Sequence, residues 1–199
     1  MGLSSGFVSY AEIGRFNTTD RSERFEIRQI KKTIVHPNWD GVIPYNDIML
    51  AVLESPVADV PTIELNRNPR IPFLSVMNSN PDDDTLVILG FGNTAPDPNP
   101  DDPQFATVLQ QIETDYIPFE ICSISQDPET GESYGNPDTG ETSVSSDWLC
   151  TLRNDPSRVG TCIGDAGGPV ILPRNKNLSE DDIFSDDLLV GVVSRYVSP

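Results

Sequence analysis

Seven short runs rich in β-branched and aromatic residues recur along the chain, each bounded by Gly, Pro, Asn, Asp or Ser. They are FVSYAEIG (7–14), RFEIRQIKKTIVH (24–36), DIMLAVLE (47–54), TLVILGFG (85–92), FATVLQQIETDYI (105–117), GGPVIL (167–172) and DLLVGVVSRYV (187–197). Apolar residues alternating over such lengths predict strands. The 18 prolines and 14 glycines lie mainly between these runs. No amphipathic stretch is long enough for a helix of more than two turns, so the pattern predicts an all-β sandwich or barrel rather than a βα repeat. NTAPDPNPDDPQ (93–104) and SQDPETGESYGNPDTGETSVSSD (125–147) predict long polar loops, the first a joint between two halves.

A chain of 199 residues fits one generous domain or two small ones. Its 31 acidic and 13 basic residues give a net charge of −18. Binding to phosphate needs clustered Lys and Arg, so this balance argues against nucleic acid and anionic membrane as partners. The acid is concentrated in stretches such as NPDDD (80–84) and SEDDIFSDD (179–187), which lack the spaced oxygen ligands of a calcium loop and read as solvated loops. No apolar run approaches the length of a membrane span, and the Met1–Ser4 start lacks the basic and apolar regions of a signal peptide. The sequons at Asn17 and Asn177 are compatible with a secretory route. Of three cysteines, Cys122 and Cys150 could close a long loop, stabilising by about 3 kcal/mol, which leaves Cys162 with a missing partner or as a free thiol.

The stretch GTCIGDAGGPVIL (160–172) concentrates the candidate chemistry. A tight glycine-rich turn exposes backbone N–H groups or lifts a reactive side chain, yet this one presents the methyl group of Ala166. The only histidine, His36 in IVHPNWD, cannot build a multi-histidine metal site and reads as a structural turn before Pro37. Asp47 leads directly into an apolar strand and is therefore partly desolvated. Such a carboxylate belongs either to a hydrogen-bonded turn or to an active site as an orienting group.

Taken together, HPNWD…YNDIMLAVLESPV (36–57), LVILGFGNT (86–94), the pair Cys122 and Cys150, TCIGDAGGPV (161–170) and LLVGVVSRY (188–196) follow the order and approximate spacing of the trypsin/chymotrypsin serine proteases. The chain resembles that family from about Val8 to Tyr196. The resemblance implies a chymotrypsin-like double β-barrel with an incomplete first barrel, residues 1–199 forming one partial peptidase domain. Residues 1–92 would form the remainder of the N-terminal barrel and 105–199 the C-terminal barrel. It also implies a disulfide between Cys122 and Cys150.

Carried over residue by residue, Asp47 matches the aspartate that orients the catalytic histidine, and Gly164 and Ala166 match the oxyanion-hole positions. Asp165 matches the aspartate that pairs with a new N-terminal amine in activated members. Ala166 stands where the nucleophilic serine is expected. Gly160 matches the base of the primary specificity pocket, without the charge that would select Arg or Lys, and Ser194 and Tyr196 match its wall. His36 matches a structural histidine. The segment bearing the catalytic histidine would lie upstream of FVSYAEIG, where this sequence has only MGLSSG. A cysteine beyond the final residues would pair with Cys162.

The expectation is therefore a secreted serine protease homologue that is inactive as written, takes peptide or protein as its ligand and needs no metal or cofactor. Two alternatives stand beside it: an active serine endopeptidase of which this sequence is an incomplete or altered copy, and a peptide- or protein-binding module. The oligomeric state is left open.

Overall fold

Antiparallel pairing organises all seven predicted runs. The computed structural model describes residues 10–41, 45–72, 85–95, 101–126, 133, 135–136, 141–142, 144–145, 147–152, 160–173 and 187–194. By contacts the chain divides into two compact units, Met1–Thr62 with Thr107–Leu109, and Ile63–Ala106 with Gln110–Pro199.

The first unit holds β1 (Tyr10–Ile13), β2 (Glu26–Val35) and β3 (Met49–Leu53), in the order β1-β2-β3. Both pairings are antiparallel, and the β2–β3 register slips between Ile30 and Lys32. Arg15 fastens the loop between β1 and β2. Its guanidinium donates to the Glu12 carboxylate at 2.9 Å, to the Asp20 carbonyl at 2.8 Å and to the Thr18 carbonyl at 3.1 Å, and it stacks 3.9 Å over the Phe25 ring. Glu23 closes the same loop by accepting the Phe16 and Asn17 N–H groups, each at 2.9 Å. Residues 107–109 join this unit through backbone bonds to Phe16 and Thr18.

The second unit adds β4 (Glu64–Leu65), β5 (Thr85–Gly90), β6 (Gln110–Ile117), β7 (Gly135–Asn136), β8 (Glu141–Thr142), β9 (Cys150–Leu152), β10 (Pro169–Leu172) and β11 (Leu188–Val192). A single-turn helix, α1 (Phe119–Cys122), follows β6. Six of these strands form one sheet in the order β4-β11-β10-β5-β6-β9, while β7 and β8 pair separately. Ile88 sits opposite Val170 on one side and Ile112 on the other, and Leu172 opposite Leu188. Directly opposed residues share a face, so these pairings build one apolar row. Leu86, Ile88, Val170, Leu172, Leu188 and Val193 are its buried centre, with Ile71, Ile112, Tyr116, Leu149 and Val190 packed around them. Each fully buried aliphatic side chain contributes about 1.5–3 kcal/mol. Every buried apolar residue among those described lies in this second unit.

All seven predicted runs contain a strand and, among the described residues, no helix exceeds one turn, as the pattern implied. Two details differ from the sequence reading. The strand at 85–90, assigned there to the first half, hydrogen-bonds to β6 and β10 and lies in the second unit. Segment 93–104, read as the joint, has both ends tied within the second unit: Ala106 N–H donates to the Gly92 carbonyl at 3.1 Å and Thr94 N–H to the Gln104 carbonyl at 2.9 Å. Among the described residues neither larger sheet closes on itself.

Cys122 and Cys150 form a disulfide with their Cα atoms 6.3 Å apart, anchoring the end of α1 to β9. Cys162 is buried and unpaired. Replacing both Cys122 and Cys150 with alanine is expected to destabilise the second unit by about 3 kcal/mol through the freed chain entropy of the unfolded state, read as a lower urea midpoint.

Glu26 shows a second fastening. Its carboxylate accepts the Asp59 N–H at 2.8 Å and the Ala58 N–H at 3.1 Å and pairs with Arg28. The Asp59 bond above all, aided by Ala58 and Arg28, holds this carboxyl below the usual carboxylate range, against a smaller opposing effect of burial. A lowered folded-state pKa means the contribution is complete above the ordinary glutamate value and fades as pH falls through the lowered one. Protection of the Ala58 and Asp59 amides, taken relative to their intrinsic exchange rates, should therefore fall in acid in the native chain. In Glu26→Ala, which leaves no side-chain acceptor, that protection should already be lost at neutral pH.

Candidate functional site

The turn 160–168 is built by short backbone bonds around two left-handed glycines. Gly164 has φ 97° and Gly167 φ 91°, a region that residues with a Cβ seldom adopt. Asp165 N–H donates to the Cys162 carbonyl at 3.1 Å, and Gly168 N–H to the Asp165 carbonyl at 2.8 Å. The turn is then stitched to its surroundings. Gly167 N–H donates to the Val193 carbonyl at 2.8 Å and Val193 N–H to the Gly168 carbonyl at 2.9 Å, fixing it to the end of β11. Asn93 N–H donates to the Ile163 carbonyl at 2.8 Å, fixing it to the segment after β5.

Asp165 is central to this arrangement. One carboxylate oxygen accepts the Gly92 N–H at 2.8 Å and the other the Cys162 N–H at 2.8 Å. Gly90 and Gly92 leave the room it needs: a Cβ on Gly92 would stand 2.5 Å from the carboxyl atoms. A cavity of about 190 Å³ lies beside the carboxylate, with Gly90, Gly92, Asn93, Gln111 and Gly160 in its wall. Asn93 is buried. Its carbonyl oxygen accepts the Ala95 and Gln104 N–H groups at 3.0 and 2.9 Å, while its amide nitrogen has no partner among the described residues.

Ala166 and Gly164 are exposed at the crest of the turn. Among the described residues neither of their N–H groups donates a hydrogen bond, so both donors are available to an acceptor from outside. The Phe105 ring lies against the Cα of Gly164, where a Cβ would meet it at 2.7 Å. Gly160 is exposed, with nothing within 4 Å of where its Cβ would be. Ser194, half-buried, follows β11, and Tyr196 lies outside the described residues.

Asp47 and His36 belong to the first unit, and Gly160, Gly164, Ala166 and Ser194 to the second. Asn46, with φ 52°, precedes Asp47, and Ile48 N–H donates back to the Asn46 carbonyl at 2.8 Å. That three-residue turn delivers the half-buried Asp47 to the head of β3. His36 is a turn residue. Its N–H donates to the Ile48 carbonyl at 3.0 Å, its carbonyl accepts the Trp39 N–H at 3.0 Å, and its ring Nδ1 accepts the Asn38 N–H at 3.3 Å. The ring nitrogen is thus aimed at the local backbone rather than at Asp47.

Sequence reasoning overlooked Gly90, Gly92, Asn93 and Phe105. The signal was the dipeptide spacing in GFG (90–92), since two glycines at the end of an apolar strand mark a close approach of another group. Among the described residues no set of three or more His, Cys, Asp or Glu side chains could hold a metal ion. No helix among them is long and apolar enough to cross a membrane.

Compared with known families, the chain matches the one described as Trypsin over residues 9–197. No curated protein matches it.

The glycines of the site divide into two kinds, and substitution separates them. Gly92→Ala drives a methyl group into a carboxylate held on both oxygens. It is expected to destabilise the second unit by about 1–3 kcal/mol. Gly160→Ala meets open space and should stay within about 0.5 kcal/mol of the native chain. Urea unfolding of the two variants side by side checks both.

Proposed function

The chain belongs to the trypsin family, and from that premise we propose that it is a trypsin-like serine protease homologue that binds peptide or protein without cleaving it. The observation that carries this reading is Ala166 at the crest of the 160–168 turn. The acyl-enzyme route needs an oxygen or sulfur that can attack a carbonyl and later leave, and a methyl carbon can do neither. The nearest thiol offers no substitute, because Cys162 is only 4% exposed. Removing the nucleophile of a serine protease costs about a millionfold in kcat, leaving only oxyanion and binding contributions.

His36 does not act as the base in this reading. His36 is the only histidine, and its Nδ1 is engaged by Asn38 within a turn. What remains suits binding. In this reading Gly164 and Ala166 offer two N–H groups, undonated among the described residues, at the oxyanion position, and Asp47 keeps the place of the orienting aspartate. Gly160 gives the primary pocket no charge with which to prefer Arg or Lys. A peptide in extended conformation would pair with the main chain at Ser194 to Tyr196, because strand addition needs only backbone donors and acceptors. The Cys122–Cys150 disulfide supports an oxidising, extracytoplasmic setting.

The test has a covalent and a non-covalent arm. The oxidised chain is expected to release no fluorophore from a quenched peptide library and to take no label from a fluorophosphonate probe. The same peptides should bind saturably in fluorescence anisotropy and lose at least about tenfold in affinity to Ser194→Pro, whose ring constrains the main chain of the proposed docking edge. Turnover that co-purifies with this chain and survives further fractionation overturns the inactive reading. Binding indifferent to Ser194→Pro overturns the proposed docking edge.

A further inference from the structure

An asparagine accepts a glycan when it heads an N-x-[ST] triplet at the surface and its carboxamide nitrogen can be reached. Of the two such triplets in the chain, the one at Asn177 lies outside the described residues, and Asn17-Thr18-Thr19 lies in the loop between β1 and β2. Asp20 N–H donates to the Asn17 carbonyl at 3.2 Å, folding residues 17–20 into a β-turn with the two exposed threonines at its centre. The base of this turn is held firmly. Asn17 N–H donates to the Glu23 carboxylate at 2.9 Å, Thr18 N–H to the Thr107 carbonyl at 2.8 Å, and Leu109 N–H to the Phe16 carbonyl at 2.8 Å.

The Asn17 side chain is oriented as well. Its Oδ1 accepts the Thr19 N–H at 3.0 Å and the Thr19 hydroxyl at 2.8 Å. With the oxygen turned in to Thr19, the nitrogen lies on the other side of the carboxamide. That nitrogen is neither buried nor donating to any group among the described residues. Other asparagines differ. Asn46 and Asn66 spend their Nδ2 on the carbonyls of Asn38 and Ile71, and the Nδ2 of Asn93 is buried. An asparagine bonded to the backbone two residues on is an ordinary loop device. At Asn17 a hydroxyl donor holds the same oxygen, and the nitrogen stays within reach of solvent.

We propose that Asn17 is an N-glycosylation site that takes an oligosaccharide from a lipid diphosphate donor. The carboxamide nitrogen attacks the anomeric carbon of the sugar. A C–N bond forms as the anomeric C–O bond breaks, the lipid diphosphate leaves with that electron pair, and one amide proton passes to a base of the transferring enzyme. Only the nitrogen reacts, so Oδ1 keeps both Thr19 donors in the product. Thr18, Thr19 and Asp20 are exposed, which leaves room for the sugar. The bulky polar group is added to the unit whose Ile27, Ile34 and Leu50 stand 54%, 42% and 63% exposed. This rests on the extracytoplasmic setting proposed above and is independent of the 160–168 turn.

The full chain is expressed in insect cells behind a cleavable secretory leader, and the secreted product is mapped by mass spectrometry before and after an amidase that removes N-glycans. Most of the secreted chain is expected to carry sugar at Asn17, and the amidase should leave aspartate at position 17. Occupancy should fall at least about tenfold in Thr19→Ala and persist in Thr19→Ser, which keeps the hydroxyl. Asn17 unmodified in the secreted native chain overturns the proposal, whether or not Asn177 carries sugar, and this result needs no variant.

Amide exchange tests the geometry separately. The Thr19 amide should be as well protected in the glycosylated chain as in the unglycosylated one, because Oδ1 is untouched. Exchange at Thr19 accelerated about tenfold or more by the glycan overturns the assigned orientation of the carboxamide. The leader supplies delivery, so failure of either experiment counts against Asn17 itself, whereas the location of the chain without that leader tests the proposed setting.

Discussion

The hydrogen bonds from Gly92 and Cys162 to the Asp165 carboxylate set the geometry on which the candidate site depends. Once both oxygens are held at 2.8 Å, much else follows from excluded volume. Position 92 cannot carry a Cβ, and position 168 cannot either, because the turn is drawn down onto Leu89. Residues 164 and 167 must then reverse the chain in the left-handed region to reach β10. The glycine density of GDAGG is thus a consequence of where one carboxylate sits.

That turn can be held so closely because both of its supports belong to the core of the second unit. β5 and β10 are adjacent central strands, and Leu86, Ile88, Val170 and Leu172 on them are buried. The first unit is built differently. Its long strand β2 pairs on both sides, but Ile34, Val35, Met49 and Leu50 remain at least 41% exposed. Its order comes from polar fastenings instead: Arg15 and Glu23 in one loop, Glu26 reaching the turn at 58–59. Such bonds are individually modest in water, so local opening should be easier there than around β5 and β10.

The strands were legible because period-two alternation and Gly/Pro punctuation report directly on which residues face a core. β5 and β10 are the clearest cases. The short strands β4 and β7 to β9 were not, since two or three residues cannot display a period; β4 exists because β11 offers it an edge. The assignment of 85–90 to the wrong half has the same origin. Periodicity identifies a strand but not its partner, and pairing was decided by registers with Gln110–Asp115 and Val170–Ile171. At the site, the motif disclosed the turn and Asp165. It was silent on Gly92 and Phe105, whose roles arise from contacts across more than fifty residues of sequence.

The same physics explains how alanine can stand at the crest of this turn at no structural cost. No described hydrogen bond involves a side chain at 166, and none of the fastenings to Gly92, Asn93 or Val193 passes through that position's own N–H. The conformation is prescribed by the glycines, by the carboxylate and by the strands beneath. A hydroxyl at 166 would add chemistry without adding constraint, and its absence removes chemistry without releasing any. Under the proposed reading, activity and architecture are therefore separable in this turn, so a chain can lose cleavage while the two N–H groups that would have served it remain in place. Selection acting on binding alone would preserve Gly92, Gly164, Asp165 and Gly168 and be indifferent to the residue at 166, provided it is small.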